Sequence, residues 1–200
     1  MKRIDAILQN EKYREHLREN FLAETDRIFC KHDLQHFLDV ARIAVLISYE
    51  NELQIDRELI YADALLHDIG RHEQYSKGIP HEEAGARIAA EIMEECGFTE
   101  EERQAVVEAI ADHRGTKDKK SGEDSNSELH NVINNNLDES ENDQSKESKM
   151  FGVVFEDHVG SEALKWILYK ADKASRACFA CAAKDLCNWS NEKKNLQIKY

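Results

Sequence analysis

The sequence predicts an all-α protein: one helical bundle, a single domain over residues 1–200, with a long disordered insertion within it at 115–149. Three observations carry that prediction. One proline and eight glycines in 200 residues, with abundant Ala, Glu, Leu, Lys and Ile, favour helix. Outside the insertion, apolar residues recur at helical spacing in almost every segment. Strand pattern is confined to Gly152-Val-Val-Phe155. A hydrophobic content of 41% supports one domain with a real core and not two.

The elements follow in order. Ile4, Ile7, Leu8, Leu17, Phe21, Leu22 and Ile28 predict helix from Ile4 to about Phe29. Phe37, Leu38, Val40, Ala41, Ala44, Val45 and Ile47 form a strong stripe within Leu34 to Leu53. Asp56 caps the next helix, whose buried side carries Leu59, Ile60, Ala62, Leu65 and Leu66 and which Gly70 stops. His81 opens another helix through Ala84, Ile88, Ala89 and Ile92 to Cys96, closed by Gly97. Thr99 with Glu102 makes a capping box for a helix that carries Val106, Val107 and Ile110 up to His113. Between Gly115 and about Lys149, Lys, Ser, Asn, Asp and Glu dominate, which cannot bury enough surface to offset ordering. The alternative there is a short helix from Glu128 to Leu137. Leu164, Ile167, Leu168, Ala171 and Ala174 form the last helical face.

A net charge of −13 argues against nucleic acid as the main partner, because a phosphate backbone demands a basic face. It argues equally against an anionic membrane surface. No secretory leader is expected at the N-terminus, and the longest apolar run falls far short of the roughly 20 residues that span a bilayer. The five cysteines read as reduced thiols, and a cytoplasmic location is expected.

His67-Asp68 closes the apolar run Tyr61-Ala-Asp-Ala-Leu-Leu66 and is followed by Ile69-Gly70. An imidazole and a carboxylate at the end of a buried helix cost several kcal/mol unless paired or holding a metal. His36 lies upstream, and His81, His113 and Asp172 lie downstream. The order H…HD…H…H…D, each on its own helical segment, resembles the HD superfamily of metal-dependent phosphohydrolases, in particular its HDIG-type members. That resemblance implies an all-helical HD domain and a first metal on His36, His67, Asp68 and Asp172. It also implies, in the branches that hold two metals, a second pair of ligands, His81 and His113, with Asp68 bridging. The contexts His36-Phe-Leu-Asp-Val-Ala41, Pro80-His81-Glu-Glu-Ala-Gly85, Ile110-Ala-Asp-His113 and Tyr169-Lys-Ala-Asp-Lys-Ala-Ser-Arg176 match.

The cofactor expected is therefore one or two divalent ions (Mn, Fe, Mg, Co or Zn). A bound metal lowers the pKa of water toward neutrality. A ligating Asp such as Asp68 can orient the attacking water, which gives Asp68 the catalytic role. Phosphoryl oxygens need cations as charge shifts to the leaving group, and Arg71, Arg114, Lys173 and Arg176 adjoin ligands in sequence. His32, one turn before His36, is a further substrate-binding candidate. His72, His16, His130 and His158 are expected at the surface.

Cys178 and Cys181 sit three apart, and with Cys187 they are expected to pack as small apolar residues with Phe179, Leu186 and Trp189. A structural zinc is the rival, and it would have to recruit Cys30, Cys96 or a histidine. The expected activity is hydrolysis of a phosphoester or phosphoanhydride of a small molecule, a nucleotide by preference. The alternative is a non-catalytic HD scaffold with a structural metal, serving regulation or binding.

Overall fold

The apolar stripes close on one another as helices, and among the described residues no strand forms. The computed structural model describes residues 1–113 and 157–200, which belong to one compact unit. The insertion expected to be disordered at 115–149, the alternative helix expected from Glu128 to Leu137, the strand pattern at Gly152 to Phe155, His130 and Arg114 lie outside those residues.

The N-terminal stretch makes two helices where one run was expected. α1 (Lys2–Gln9) buries Ile4 and Ile7, and α2 (Glu11–Ala23) starts anew at Asn10. The Asn10 side chain accepts the Tyr13 amide at 3.1 Å, so a residue that competes for backbone hydrogen bonds caps one helix instead of extending the other. α2 stops at Ala23, and Ile28 is exposed in the loop that follows. That loop ends at Asp33, whose carboxylate accepts the His36 amide at 3.0 Å and starts α3 (Leu34–Glu50).

Asp56 caps α4 (Arg57–Leu66) through the Glu58 amide. α5 (Arg71–Lys77) and α6 (His81–Glu95) follow. Gly97, at φ 80°, closes α6, with the Phe98 amide donating back to the Met93 carbonyl at 3.1 Å. The Thr99 and Glu102 capping box is formed and opens α7 (Glu100–Asp112). α8 (Asp157–Ala174) is the last regular helix, and two short 3-10 turns, Cys178–Ala180 and Lys184–Leu186, follow it.

α4 is the buried axis. Every residue from Ala62 to Gly70 is buried, with α3 on one side, α6 and α7 on another, and α8 against α3 and α7. Phe37, Leu65, Leu66, Ile92, Ile110 and Leu164 fill the centre. α7 and α8 run parallel: Ser161 donates to Glu108 at 2.6 Å, and one turn on Lys165 pairs with Asp112 at 3.5 Å.

Gly70 works otherwise than expected. α4 ends at Leu66, and Gly70 has φ −86°, so it is no left-handed stop. A Cβ there would stand 2.5 Å from the Gly85 nitrogen and 2.7 Å from the Ala84 carbonyl carbon. A Cβ on Gly85 would meet the His67 carbonyl oxygen at 3.0 Å. The two glycines let α6 press against the turn that carries His67 and Asp68.

Candidate metal centre

The turn Leu66 to Gly70 has its backbone pinned before any ligand is considered. Asn20 on α2 donates to the Asp68 carbonyl at 3.0 Å and accepts the His72 amide at 2.7 Å. His67, wholly buried, turns its Nδ1 back to the Ala64 carbonyl at 2.7 Å. That contact fixes the proton on Nδ1 and aims the Nε2 lone pair away from the helix.

Two groups of ligand atoms gather around this turn, each closing to within 4.8 Å: His36, His67 and Asp172, and then Asp68, His81 and His113. Asp68 joins them. Its Oδ2 lies 3.4 Å from His67 Nε2, and its Oδ1 lies 3.2 Å from His81 Nε2 and 4.0 Å from His113 Nε2. His36 Nε2 stands 3.6 Å from Asp172 Oδ1. Six side chains from α3, the end of α4, α6, the end of α7 and α8 thus converge on one spot.

The residues fit divalent cations on three counts. His113 Nδ1 contacts the Ile110 carbonyl at 2.6 Å, so that ring holds its proton on the outer nitrogen and turns its Nε2 lone pair inward, while His81 Nδ1 is held between Gln74 Oε1 at 2.6 Å and Arg71 at 3.0 Å. The two Nε2 atoms face each other at 3.3 Å, close enough for one cation to take both. The buried His36 Nε2, His67 Nε2 and Asp68 Oδ1 have no hydrogen-bond partner, where nearly all such atoms have one.

Burial, helped by His67, pushes His36 down to about 4, and burial lowers His113 as well, which keeps both in the neutral form that binds metal. Burial opposes ionisation of Asp68, yet His67, by charge and hydrogen bond, together with Arg71 and His32 outweighs it and holds the carboxyl well below its ordinary range. Asp172 is likewise held down against burial by Lys173, His67 and Arg176.

The proposed substrate residues reach the same place, apart from Arg114, which is not described. His32 precedes α3 instead of riding on it, because the helix begins at Leu34. It is buried, with Nδ1 on Glu24 at 2.6 Å and Nε2 facing Arg71 at 2.8 Å and Asp68 Oδ2 at 3.6 Å. Arg71 spans from His32 to His81, reaching its Nδ1 at 3.0 Å. Lys173 and Arg176 contact Asp172 Oδ2 at 2.6 and 3.3 Å. All four line a cavity of about 730 Å³ together with His36, Asp68, His81, His113 and Asp172.

Sequence reading missed Asn20, Glu24, Gln74 and Ser175, which act through others. Ser175 stands 3.4 Å from His36 Nδ1 and donates to the Asp172 carbonyl. The available signal was a polar residue on the apolar side of a helical stripe, as Asn20 is. His72 and His16 were expected at the surface. They are half-buried and bonded to each other at 2.9 Å, Nδ1 of His16 to Nε2 of His72.

The HD domain family matches residues 33–189, a span that contains all six converging side chains. The chain belongs to the HD domain family. HD domains are, as a family, metal-dependent hydrolases, and this one has a buried His/Asp cluster that could hold a metal. An uncharacterized protein of Clostridium beijerinckii is 38% identical to this HD domain over 200 residues, the whole of both chains. No solved structure matches it. Among the described residues no helix is long and apolar enough to cross a membrane.

Proposed function

We propose that this HD domain is a metal-dependent phosphohydrolase that cleaves a phosphoester or phosphoanhydride of a small molecule, a nucleotide by preference. The observation that carries the reading is the shared carboxylate: Asp68 turns one oxygen to His67 and the other to His81. His36, His67, Asp68 and Asp172 would hold one divalent ion, and Asp68, His81 and His113 a second. A bound divalent ion supplies water at a lowered pKa and a positive charge for phosphoryl oxygens.

The protein's own groups supply the rest. Asp68, held ionised, accepts a hydrogen bond from the attacking water and orients it. Arg71 and Arg176, about one-eighth to one-sixth exposed, neutralise charge that moves onto the phosphoryl and leaving oxygens, and Lys173 adds a third cation at the rim. His32 holds Arg71 in place from the Glu24 side. The cavity is the size of a nucleotide site, and the half-exposed Trp189 on its wall, stacked on Arg176 at 4.3 Å, offers an aromatic face for a base.

A panel of nucleotides and nitrophenyl phosphate esters, offered to the Mn- or Fe-loaded chain with and without chelator, tests the reading. Turnover lost on chelation and absent from Asp68→Ala is expected. Metal bound stoichiometrically with no turnover across the panel would favour the scaffold alternative.

A further inference from the structure

The structure corrects the expectation that Cys178, Cys181 and Cys187 pack in the core. They lie in the 3-10 segment after α8, not on one α-helical face, and all three are only partly buried. Their expected partners are open to solvent: Phe179 is 44% exposed, Leu186 72% and Trp189 39%. From residue 177 to the C-terminus only Ala183 and Asn195 are buried. A 24-residue segment with that little apolar burial has almost nothing to offset its ordering entropy, and such segments rely on cross-links or metals.

The cysteines themselves are placed to provide one. Cys30, far away in sequence, lines the same cavity as Cys178, Cys181 and Cys187, whereas the fifth, Cys96, is buried in the helical core. Desolvation pushes the Cys30 thiol up and Arg176 opposes it, while Cys178 and Cys181 are close enough to raise it further as neighbouring charges. Cys178 opens the first 3-10 turn, and Cys181 and Cys187 each end a turn in extended backbone. Two side chains pin the backbone that carries the cysteines: Lys194 Nζ donates to the Lys184 and Cys187 carbonyls at 3.1 Å, and Arg27 Nε to the Cys30 carbonyl at 2.7 Å.

We propose that Cys30, Cys178, Cys181 and Cys187 hold a second, tetrathiolate metal centre, separate from the His/Asp site, with an iron–sulfur cluster as its occupant. A lone zinc with bonds of 2.3 Å draws its sulfurs to about 3.8 Å of one another. No three cysteine sulfurs lie within 4.8 Å of one another as the His/Asp ligands do, which falls short of the spacing a lone zinc sets and leaves room for the larger multi-iron cluster. The centre would tie the loop bearing His32 to the segment that follows Asp172 and Arg176, and so hold two walls of the cavity together.

The test is iron, zinc and acid-labile sulfide per chain in full-length protein purified anaerobically from iron-supplemented cells. Asp68→Ala, which disables the His/Asp ligands, is the background, so the result does not depend on the phosphohydrolase reading. About four irons and four sulfides per chain, with thiolate-to-iron absorbance, are expected to persist there and in Cys96→Ser. They should be lost from Cys181→Ser and Cys30→Ser. Cys30 is exposed in a loop, so its variant folds irrespective of the centre's fate at Cys181. A single zinc lost with the same cysteines would uphold the tetrathiolate and overturn the cluster. An Asp68→Ala chain with neither sulfide nor zinc, or a Cys30→Ser chain with wild-type metal content, would overturn the proposal.

Discussion

Gly70→Ala isolates the contact that sets the second half of the metal site. The added methyl would lie 2.5 Å from the Gly85 nitrogen and 2.7 Å from two atoms of Ala84, none of which can swing aside because two are α6 backbone. Gly70 has an ordinary φ of −86°, so no conformational strain enters, and the cost is steric alone. Overpacking a close-packed interior costs about 1–3 kcal/mol, and a backbone collision belongs at the upper end. The stiffer unfolded chain returns about 0.4–1 kcal/mol. A net loss of about 2–3 kcal/mol is therefore expected in urea unfolding. Relief of the collision requires α6 to retreat by roughly 1 Å, which would lengthen the 3.2 Å approach of His81 to Asp68 and weaken the second ion. The companion Gly78→Ala has nothing within 4 Å but sits at φ +71°, so it should cost roughly 1–2 kcal/mol and leave metal content intact. A Gly70→Ala protein within 0.5 kcal/mol of wild type and with wild-type metal content would refute the close-approach argument.

Further outcomes are expected elsewhere. Asp68→Ala should strip both ions from the His/Asp site, while His81→Ala should lower elemental metal there from near two per chain to near one. Burial tends to raise Glu24, but its hydrogen bond and charge contact with His32 win and hold it at about 2, against an ordinary 4.5. Its folded pKa is depressed, so its contribution is present above about 4.5 and lost as pH falls through about 2. The stability gap between wild type and Glu24→Gln should be about 2–3 kcal/mol near neutrality and should close across that window in pH-dependent denaturation. Arg3 joins α1 to α4 and α7 through Glu58 and a two-pronged contact with Glu102, both at 2.7 Å, while lying over Phe98. Arg3→Ala should cost about 1–2 kcal/mol in melting experiments, with metal content unchanged.

The helical class, the caps at Asp56 and Thr99 and the closure at Gly97 were legible because each is local chemistry written in adjacent residues. The six converging His and Asp positions were legible because their order and contexts resemble a family's. What escaped reading depends on distant partners. Asn10 divides α1 from α2 because its side chain caps the second. Gly70 owes its place to α6, fifteen residues on, and not to the helix before it. His32 gains its setting from Glu24 and Arg71, neither near it in the helical pattern. The cysteines misled for the same reason: a three-residue spacing reads as one helical face only if the segment is a helix, and nothing local said that it winds as 3-10 turns beside Cys30.

The six inward side chains come from α3, α6, α8 and the ends of α4 and α7, so no helix of the central bundle is without a stake in them. Any cation they hold is therefore also a bond between helices, and the folding equilibrium becomes a gauge of metal supply. Binding to the folded chain alone at 100 times the dissociation constant adds about 2.7 kcal/mol, and each further tenfold rise adds about 1.4 kcal/mol. A cell short of metal would hold this protein in a looser and shorter-lived form, so its abundance, as well as its chemistry, would follow the ion.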